Sequence, residues 1–130
     1  MSTPRKDETH ESRQSLWRPV LPPIIWAAHF LTTYITSAIW CEKIAGRDGS
    51  LGGARLAIAI YTVLALAGIA LIGWRGWQRH AFDGSETQHD FDSPADRHRF
   101  LGFATALLAG LSAVAVIFTA LAIVFFNDCR

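Results

Sequence analysis

The stretch PPIIWAAHFLTTYITSAIWC, residues 22–41, decides the fold. It contains no Asp, Glu, Lys or Arg. As an α-helix it would extend about 30 Å, the thickness of the hydrocarbon core of a bilayer. It also carries His29, several hydroxyl side chains and Cys41. We interpret it as a membrane-spanning helix with a polar stripe along one side.

Two further apolar stretches follow, and each is long enough to span a bilayer. A spanning segment must satisfy its own backbone hydrogen bonds in lipid, so the three stretches predict an all-α, integral membrane three-helix bundle. The expected helices cover residues 23–44, 54–82 and 94–126. Residues 1–21 are expected to form a disordered or interfacial cytoplasmic tail, and residues 22–130 the bundle.

The composition agrees with a membrane protein and excludes several other classes. Hydrophobic residues make up 51% of the chain and charged residues 18%, whereas soluble domains carry nearer ~25% charged residues. A net charge of +1 argues against a nucleic-acid binder. The sequence has no glycine-rich phosphate loop, nucleophile elbow or paired-histidine metalloprotease motif. We therefore expect a non-enzymatic protein whose surroundings are membrane lipid.

The distribution of basic residues predicts an orientation. Eight of the twelve Lys and Arg residues lie in the tail and the second loop, and four lie at the other two ends. Because basic residues concentrate on the cytoplasmic side, the N-terminus is expected in the cytoplasm and the C-terminus in the periplasm of a bacterial inner membrane. The four on the outer side are Lys43, Arg47, Arg55 and Arg130.

The two cysteines are expected at the same end of the bundle. Cys41 ends the first helix and Cys129 follows the third. In an oxidising periplasm they are candidates for a disulfide that ties the bundle together. Two unrelated thiols are the simplest alternative, and a metal pair is a third, although two thiols rarely complete a metal site.

His29 is the candidate functional residue, since an ionisable side chain inside a membrane usually faces the bundle interior and serves a purpose. It is compatible with a packed, hydrogen-bonded histidine, a partner contact or proton relay, or a haem or quinone contact. Ala67 and Gly68 are expected opposite it. Gly102, Ala106 and Gly110 form a small-xxx-small ridge that predicts close helix packing.

A polar seam on the third helix could supply the hydrogen-bond partner of His29. The seam consists of Thr105, Ser112 and Thr119. A b-type haem usually takes two axial ligands, and this chain has one intramembrane histidine. We therefore expect no cofactor bound by this chain alone, and a haem or quinone only together with a partner. The histidines and aspartates of residues 80–98 fit a solvated charged loop better than a metal site.

The segment Pro22–Phe30, Tyr34, Cys41 and the sequence FFNDC at 125–129 resemble a group of small bacterial membrane proteins. Members of that group accompany haem–copper terminal oxidases or their assembly factors. The resemblance implies an accessory or assembly subunit of a respiratory complex, with other integral membrane subunits as partners. It singles out His29, Cys41 and Cys129. A structural membrane protein unrelated to respiration is the remaining alternative.

Overall fold

A computed structural model describes residues 6–46, 48–82, 94–126 and 129, without the side chains of residues 6–15, 80, 82 and 94–98. The chain forms three long helices: α1 (Lys6–Ile39), α2 (Gly52–Phe82) and α3 (Pro94–Phe125). Three helical segments are long and apolar enough to cross a membrane: Leu16–Ala45, which extends past the end of α1, Gly52–Arg79 and Arg99–Phe125. The predicted all-α three-helix membrane bundle is confirmed.

The first helix begins much earlier than expected. It starts at Lys6 rather than near Pro23, so residues 6–21, expected as part of a disordered or interfacial tail, continue α1 toward the N-terminus. Six of these sixteen residues are Glu, Lys, Arg or Gln, which have high helix propensity. Pro19, Pro22 and Pro23 lie inside the helix. Each lacks the N–H that would bond the carbonyl four residues earlier, a loss that membrane helices tolerate when neighbouring groups compensate.

The first helix ends in a π-helical turn. Regular α-helix stops at Ile39, and Trp40–Ala45 form a π-helical turn. Gly46 ends this turn with a φ of 67°, a left-handed conformation that favours glycine. The indole Nε1 of Trp40 donates to the carbonyl of Ser50 at 3.2 Å. This bond fixes the segment between the π-helical turn and α2 against the end of the bundle.

Small residues line the contact between α2 and α3, the most extensive helix contact of the bundle. The buried residues of α3 are Gly102, Thr105, Ala109, Ser112 and Val116. Their alternating spacing of three and four keeps them on one face. A Cβ atom added at Gly76 of α2 would lie only 2.9 Å from the carbonyl oxygen of Gly102. The two backbones therefore approach as closely as glycine allows.

The predicted small-residue ridge has a different register in the structure. Gly102 is buried and Ala106 half-buried, but Gly110 is exposed, and a Cβ added there would meet nothing within 4 Å. A repeat of four residues drifts by about 40° per step around a helix with 3.6 residues per turn. The contact face instead alternates steps of three and four, which brings in Thr105 and Ala109.

Most large apolar side chains face outward along all three helices. One cluster of buried residues, which includes Ile69, Ala109 and Val116, packs in the middle of the bundle. A second cluster, built on Leu51, Ala54 and Ile58, lies near the chain's two cysteines. A soluble protein rarely exposes so much contiguous apolar surface, and surrounding lipid accounts for it.

Candidate functional site at His29 and the disulfide end

His29 lies buried between α1 and α2, with 4% of its surface exposed. Its Nε2 atom is 3.0 Å from Oγ1 of Thr62. The hydroxyl of Thr62 donates its hydrogen to the carbonyl of Ile58 at 2.7 Å. A hydroxyl carries only one hydrogen, so Thr62 accepts from His29. In this arrangement Nε2 of His29 carries the hydrogen that Thr62 accepts.

The other edge of the imidazole is buried without a protein partner. Nδ1 of His29 and Oγ1 of Thr33 both lack a hydrogen bond to any described residue. Thr33 has only 2% of its surface exposed and follows His29 by about one helical turn. When Nε2 of a neutral imidazole carries the hydrogen, Nδ1 presents a lone pair. These two atoms can accept from or donate to a small polar group between the helices.

The geometry favours the packed, hydrogen-bonded interpretation of His29. The bonds run from His29 through Thr62 to the backbone carbonyl of Ile58. A backbone carbonyl accepts a hydrogen bond but does not pass a proton onward. The chain of bonds thus joins α1 to α2 and ends there. Its effect is to fix the rotation of both helices about their axes.

The predicted neighbours of His29 on α2, Ala67 and Gly68, lie five and six residues beyond its hydrogen-bond partner Thr62. Gly68 lies opposite Ile25, whose Cδ1 would be 3.6 Å from a Cβ added at that glycine. Thr62, the actual partner, was not singled out by the sequence analysis. It could have been found, because Tyr61 and Thr62 are the only residues with polar side chains between Arg55 and Trp74.

The polar seam on α3 does not supply the partner of His29. Thr105 and Ser112 are buried, but the Thr105 hydroxyl donates to the Leu101 carbonyl at 2.6 Å. The Thr119 hydroxyl donates to the Ala115 carbonyl at 2.8 Å. Both threonines thus satisfy their hydroxyls within their own helix, as is usual in membrane helices.

The surroundings of His29 do not fit a haem inside a single copy of this chain. Nε2 is occupied by Thr62, and the ring is enclosed between two packed helices. A cleft of about 180 Å³ elsewhere in the bundle is not lined by His29. An iron ligand at this position would require α1 and α2 to separate.

Cys41 and Cys129 form a disulfide, with their Cα atoms 5.6 Å apart. The predicted pairing is present, so the alternatives of two free thiols and a metal pair do not apply. The bridge joins residues separated by 88 positions and packs against the cluster of Leu51, Ala54 and Ile58. It fixes the end of α1 to the end of α3.

Arg55 provides a second tie at the same end. Its guanidinium donates to the carbonyls of Val124 at 3.0 Å and Phe126 at 3.3 Å. The last carbonyls of a helix have no partner within the helix, and a positive charge there interacts favourably with the helix dipole. From the sequence, Arg55 was expected only as one of the four basic residues on the outer side of the membrane. Its capping role depends on a contact across 69 residues.

Part of the predicted charged loop, residues 83–93, lies outside the described residues. This applies to His89, Asp90 and Asp92, whereas His80, Asp96 and His98 belong to described helices without described side chains. Among the side chains that the structure does describe, no three His, Cys, Asp or Glu residues come close enough to hold a metal ion.

Comparison of the chain with protein-family models, with curated proteins and with solved structures finds no match.

Proposed function

We propose that this chain is a non-catalytic accessory or assembly subunit of a larger membrane complex, docked laterally through α1. In its narrower form, the proposal places it in a bacterial inner membrane beside a terminal oxidase of the cytochrome oxidase type. The resemblance of residues 22–30 to small oxidase-associated proteins motivates the narrower form. The surface of α1 supports the broader one.

The observation that carries the proposal is an aromatic ridge on α1, consisting of Trp26, Phe30 and Tyr34. Successive members are four residues apart, so they lie along one side of the helix. The Trp26 and Phe30 rings are 6.4 Å apart between centroids. All three side chains are exposed, Tyr34 with 66% of its surface.

Tyr34 is the residue of the aromatic ridge whose hydroxyl finds no hydrogen-bond partner among lipid acyl chains. It lies near the middle of the spanning segment Leu16–Ala45, where no water reaches a hydroxyl from the side. A hydroxyl without a partner in an apolar medium costs free energy, and a tyrosine hydroxyl usually finds a partner when buried. A polar group on a neighbouring membrane subunit would meet this need while the rings pack against its helix.

Affinity purification of the tagged full chain in mild detergent, followed by mass spectrometry, tests the proposal. We expect integral membrane subunits in the purified sample, with terminal oxidase subunits among them. Replacing Tyr34→Phe should lower their recovery by about fivefold, the loss expected for one hydrogen bond of about 1 kcal/mol. Recovery of the chain alone would contradict the accessory role.

Thr32→Val is the matched control for Tyr34→Phe. Thr32 is also exposed on α1, but its hydroxyl is satisfied by the carbonyl of Ala28 at 2.7 Å. Its replacement should leave partner recovery unchanged. Equal losses in both variants would argue against a specific contact at Tyr34. Recovery of subunits from an unrelated complex would retain the docking role and overturn the oxidase assignment.

A redox-carrier function is the second candidate, and the buried lone pair on Nδ1 of His29 is the observation that favours it. In that case the haem or quinone would be shared with a partner subunit. A visible spectrum of the purified complex distinguishes the two candidates. A haem band that disappears in His29→Ala would support the carrier, whereas a colourless folded complex would oppose a haem carrier.

A further inference from the structure

A narrow cleft opens between the three helices at the end of the bundle opposite the disulfide. Its volume is about 180 Å³, and all three helices contribute to its lining. The lining residues are Arg18, Leu21, Ile72, Arg75, Gly76, Arg79, Leu101, Gly102 and Thr105. Three of these lining residues are arginines and none is acidic, so the lining that the structure describes is positively charged.

The close approach of α2 and α3 shapes this cleft. Gly76 and Gly102 are both buried and have no side chains to fill the space beside them. Thr105 turns its hydroxyl toward the carbonyl of Leu101. The inner part of the cleft is thus lined by backbone and small or apolar groups. The arginines lie on α1 and α2 and bring charge to an otherwise apolar depression.

A bound anion would stabilise the three guanidinium groups of the cleft. Arg75 and Arg79 are four residues apart and share one side of α2, and Arg18 lines the same cleft from α1. Guanidinium groups stay charged at any relevant pH and match the oxygens of a phosphate in a bidentate geometry. Three like charges around one cleft near lipid repel each other, and an anion between them removes that repulsion.

The position of the cleft selects a lipid as the source of that anion. Leu21, Ile72 and Leu101 provide apolar walls next to the charges. Trp17, Trp74 and Trp77 are exposed at the same end, as tryptophans are at the boundary between hydrocarbon and headgroups. A phosphate at this level would meet the arginines while an acyl chain lies along the walls. Basic pockets between membrane helices recognise anionic headgroups in this way.

We propose that the cleft between Arg18, Arg75 and Arg79 is a specific binding site for one anionic phospholipid. A net negative headgroup is required, because the ammonium group of a zwitterionic lipid would be repelled by three guanidinium groups. The site does not depend on the proposed accessory role, since its lining comes from this chain alone.

Native mass spectrometry of the full chain, released from neutral detergent with added lipid, tests this site. The probes are phosphatidylglycerol and phosphatidylcholine with identical acyl chains, each titrated separately. We expect one phosphatidylglycerol to remain bound under conditions that remove phosphatidylcholine. Each of Arg18→Gln, Arg75→Gln and Arg79→Gln should weaken that binding by about fivefold, the effect of one basic residue near an anionic lipid.

Arg99→Gln provides the control. Arg99 is exposed at the same end of the bundle but does not line the cleft. Its replacement should leave phosphatidylglycerol binding unchanged. An equal loss of binding in all four variants would show non-specific electrostatic attraction to the surface and would contradict a specific site. Equal retention of phosphatidylcholine would overturn the requirement for a negative headgroup. If inorganic phosphate at millimolar concentration competed fully with phosphatidylglycerol, the proposed ligand would be a free anion and not a lipid.

The three arginine variants are expected to fold, because all three side chains are exposed. Circular dichroism of each purified variant checks this. The titration of the unmodified chain with the two lipids remains decisive even if one variant is lost.

Discussion

Nε2 of His29 lies 3.0 Å from Oγ1 of Thr62, and this bond joins α1 to α2 inside the bundle. Replacing Thr62→Val removes the acceptor and leaves the imidazole N–H buried without a partner. Interhelical hydrogen bonds in membranes contribute about 0.6 kcal/mol on average and up to ~1.7. We expect a loss near the upper value, since both groups are enclosed. Reversible unfolding in mixed micelles measures it, and Thr62→Ser should retain most of the stability.

Two other threonines serve as controls for this bond. Thr119 donates only to its own helix, and Thr33 has no described hydrogen-bond partner, so Thr119→Val and Thr33→Val should cost less than Thr62→Val. Nitrogen NMR of labelled histidine should show His29 protonated on Nε2. A ring protonated on Nδ1 alone, or equal losses in all three valine variants, would contradict the assigned hydrogen-bond direction.

The α2–α3 contact predicts opposite outcomes for two glycines. In Gly76→Ala the new Cβ would lie 2.9 Å from the Gly102 carbonyl oxygen, so the helices must separate and stability should fall by about 1–3 kcal/mol, as in other overpacked sites. In Gly110→Ala the Cβ meets nothing within 4 Å. That variant should be neutral or slightly more stable, because alanine favours helix. Unfolding in mixed micelles compares the two directly, and a larger loss for Gly110→Ala would restore the predicted ridge.

The disulfide should contribute substantially to stability. It closes a loop across 88 positions, and native disulfides typically stabilise by about 2–4 kcal/mol. Cys41→Ser and Cys129→Ser should each lower the unfolding midpoint and migrate more slowly on non-reducing gels. The unmodified chain should resist thiol labelling until it is reduced. Efficient labelling of both cysteines in the untreated protein would contradict the bridge.

Arg55 should protect the end of α3. In Arg55→Gln the carbonyls of Val124 and Phe126 lose a charged donor, and we expect a loss of about 1–2 kcal/mol. Hydrogen exchange should become faster in the last turn of α3, where the Phe126 amide bonds the Ala122 carbonyl. Lys43→Gln is the control, since Lys43 is exposed on the π-helical turn near the same end. Unchanged exchange in Arg55→Gln would remove its capping role.

The fold followed from hydropathy, whereas the contacts within it did not. Long apolar stretches indicate helices by composition alone, so α2 and α3 match their predicted limits within two residues. The hydrogen-bond partner of His29 depends on the position of α1 along α2, and Gly68 and Thr62 differ in that position by six residues. The sequence around Thr62 is mostly apolar and does not determine the position of α1 along α2. Arg55 was likewise beyond sequence analysis, because its partners are backbone carbonyls with no signature in the sequence.

The disulfide was predictable for a different reason. Three crossings place the end of the first helix and the end of the third on one side, whatever the details of packing. Cys41 and Cys129 therefore had to share a side if all three helices span. The early start of α1 was missed because the polar composition of residues 6–15 suits both a helix and a disordered tail.

Reporter fusions test the central claim that three helices cross the bilayer with the disulfide end outside. We expect active alkaline phosphatase when it is joined after Gly49 or after Arg130, and fluorescent green fluorescent protein when it is inserted near residue 86. Reporters that place residues 49 and 130 on opposite sides, or recovery of the chain from the soluble fraction, would contradict the account.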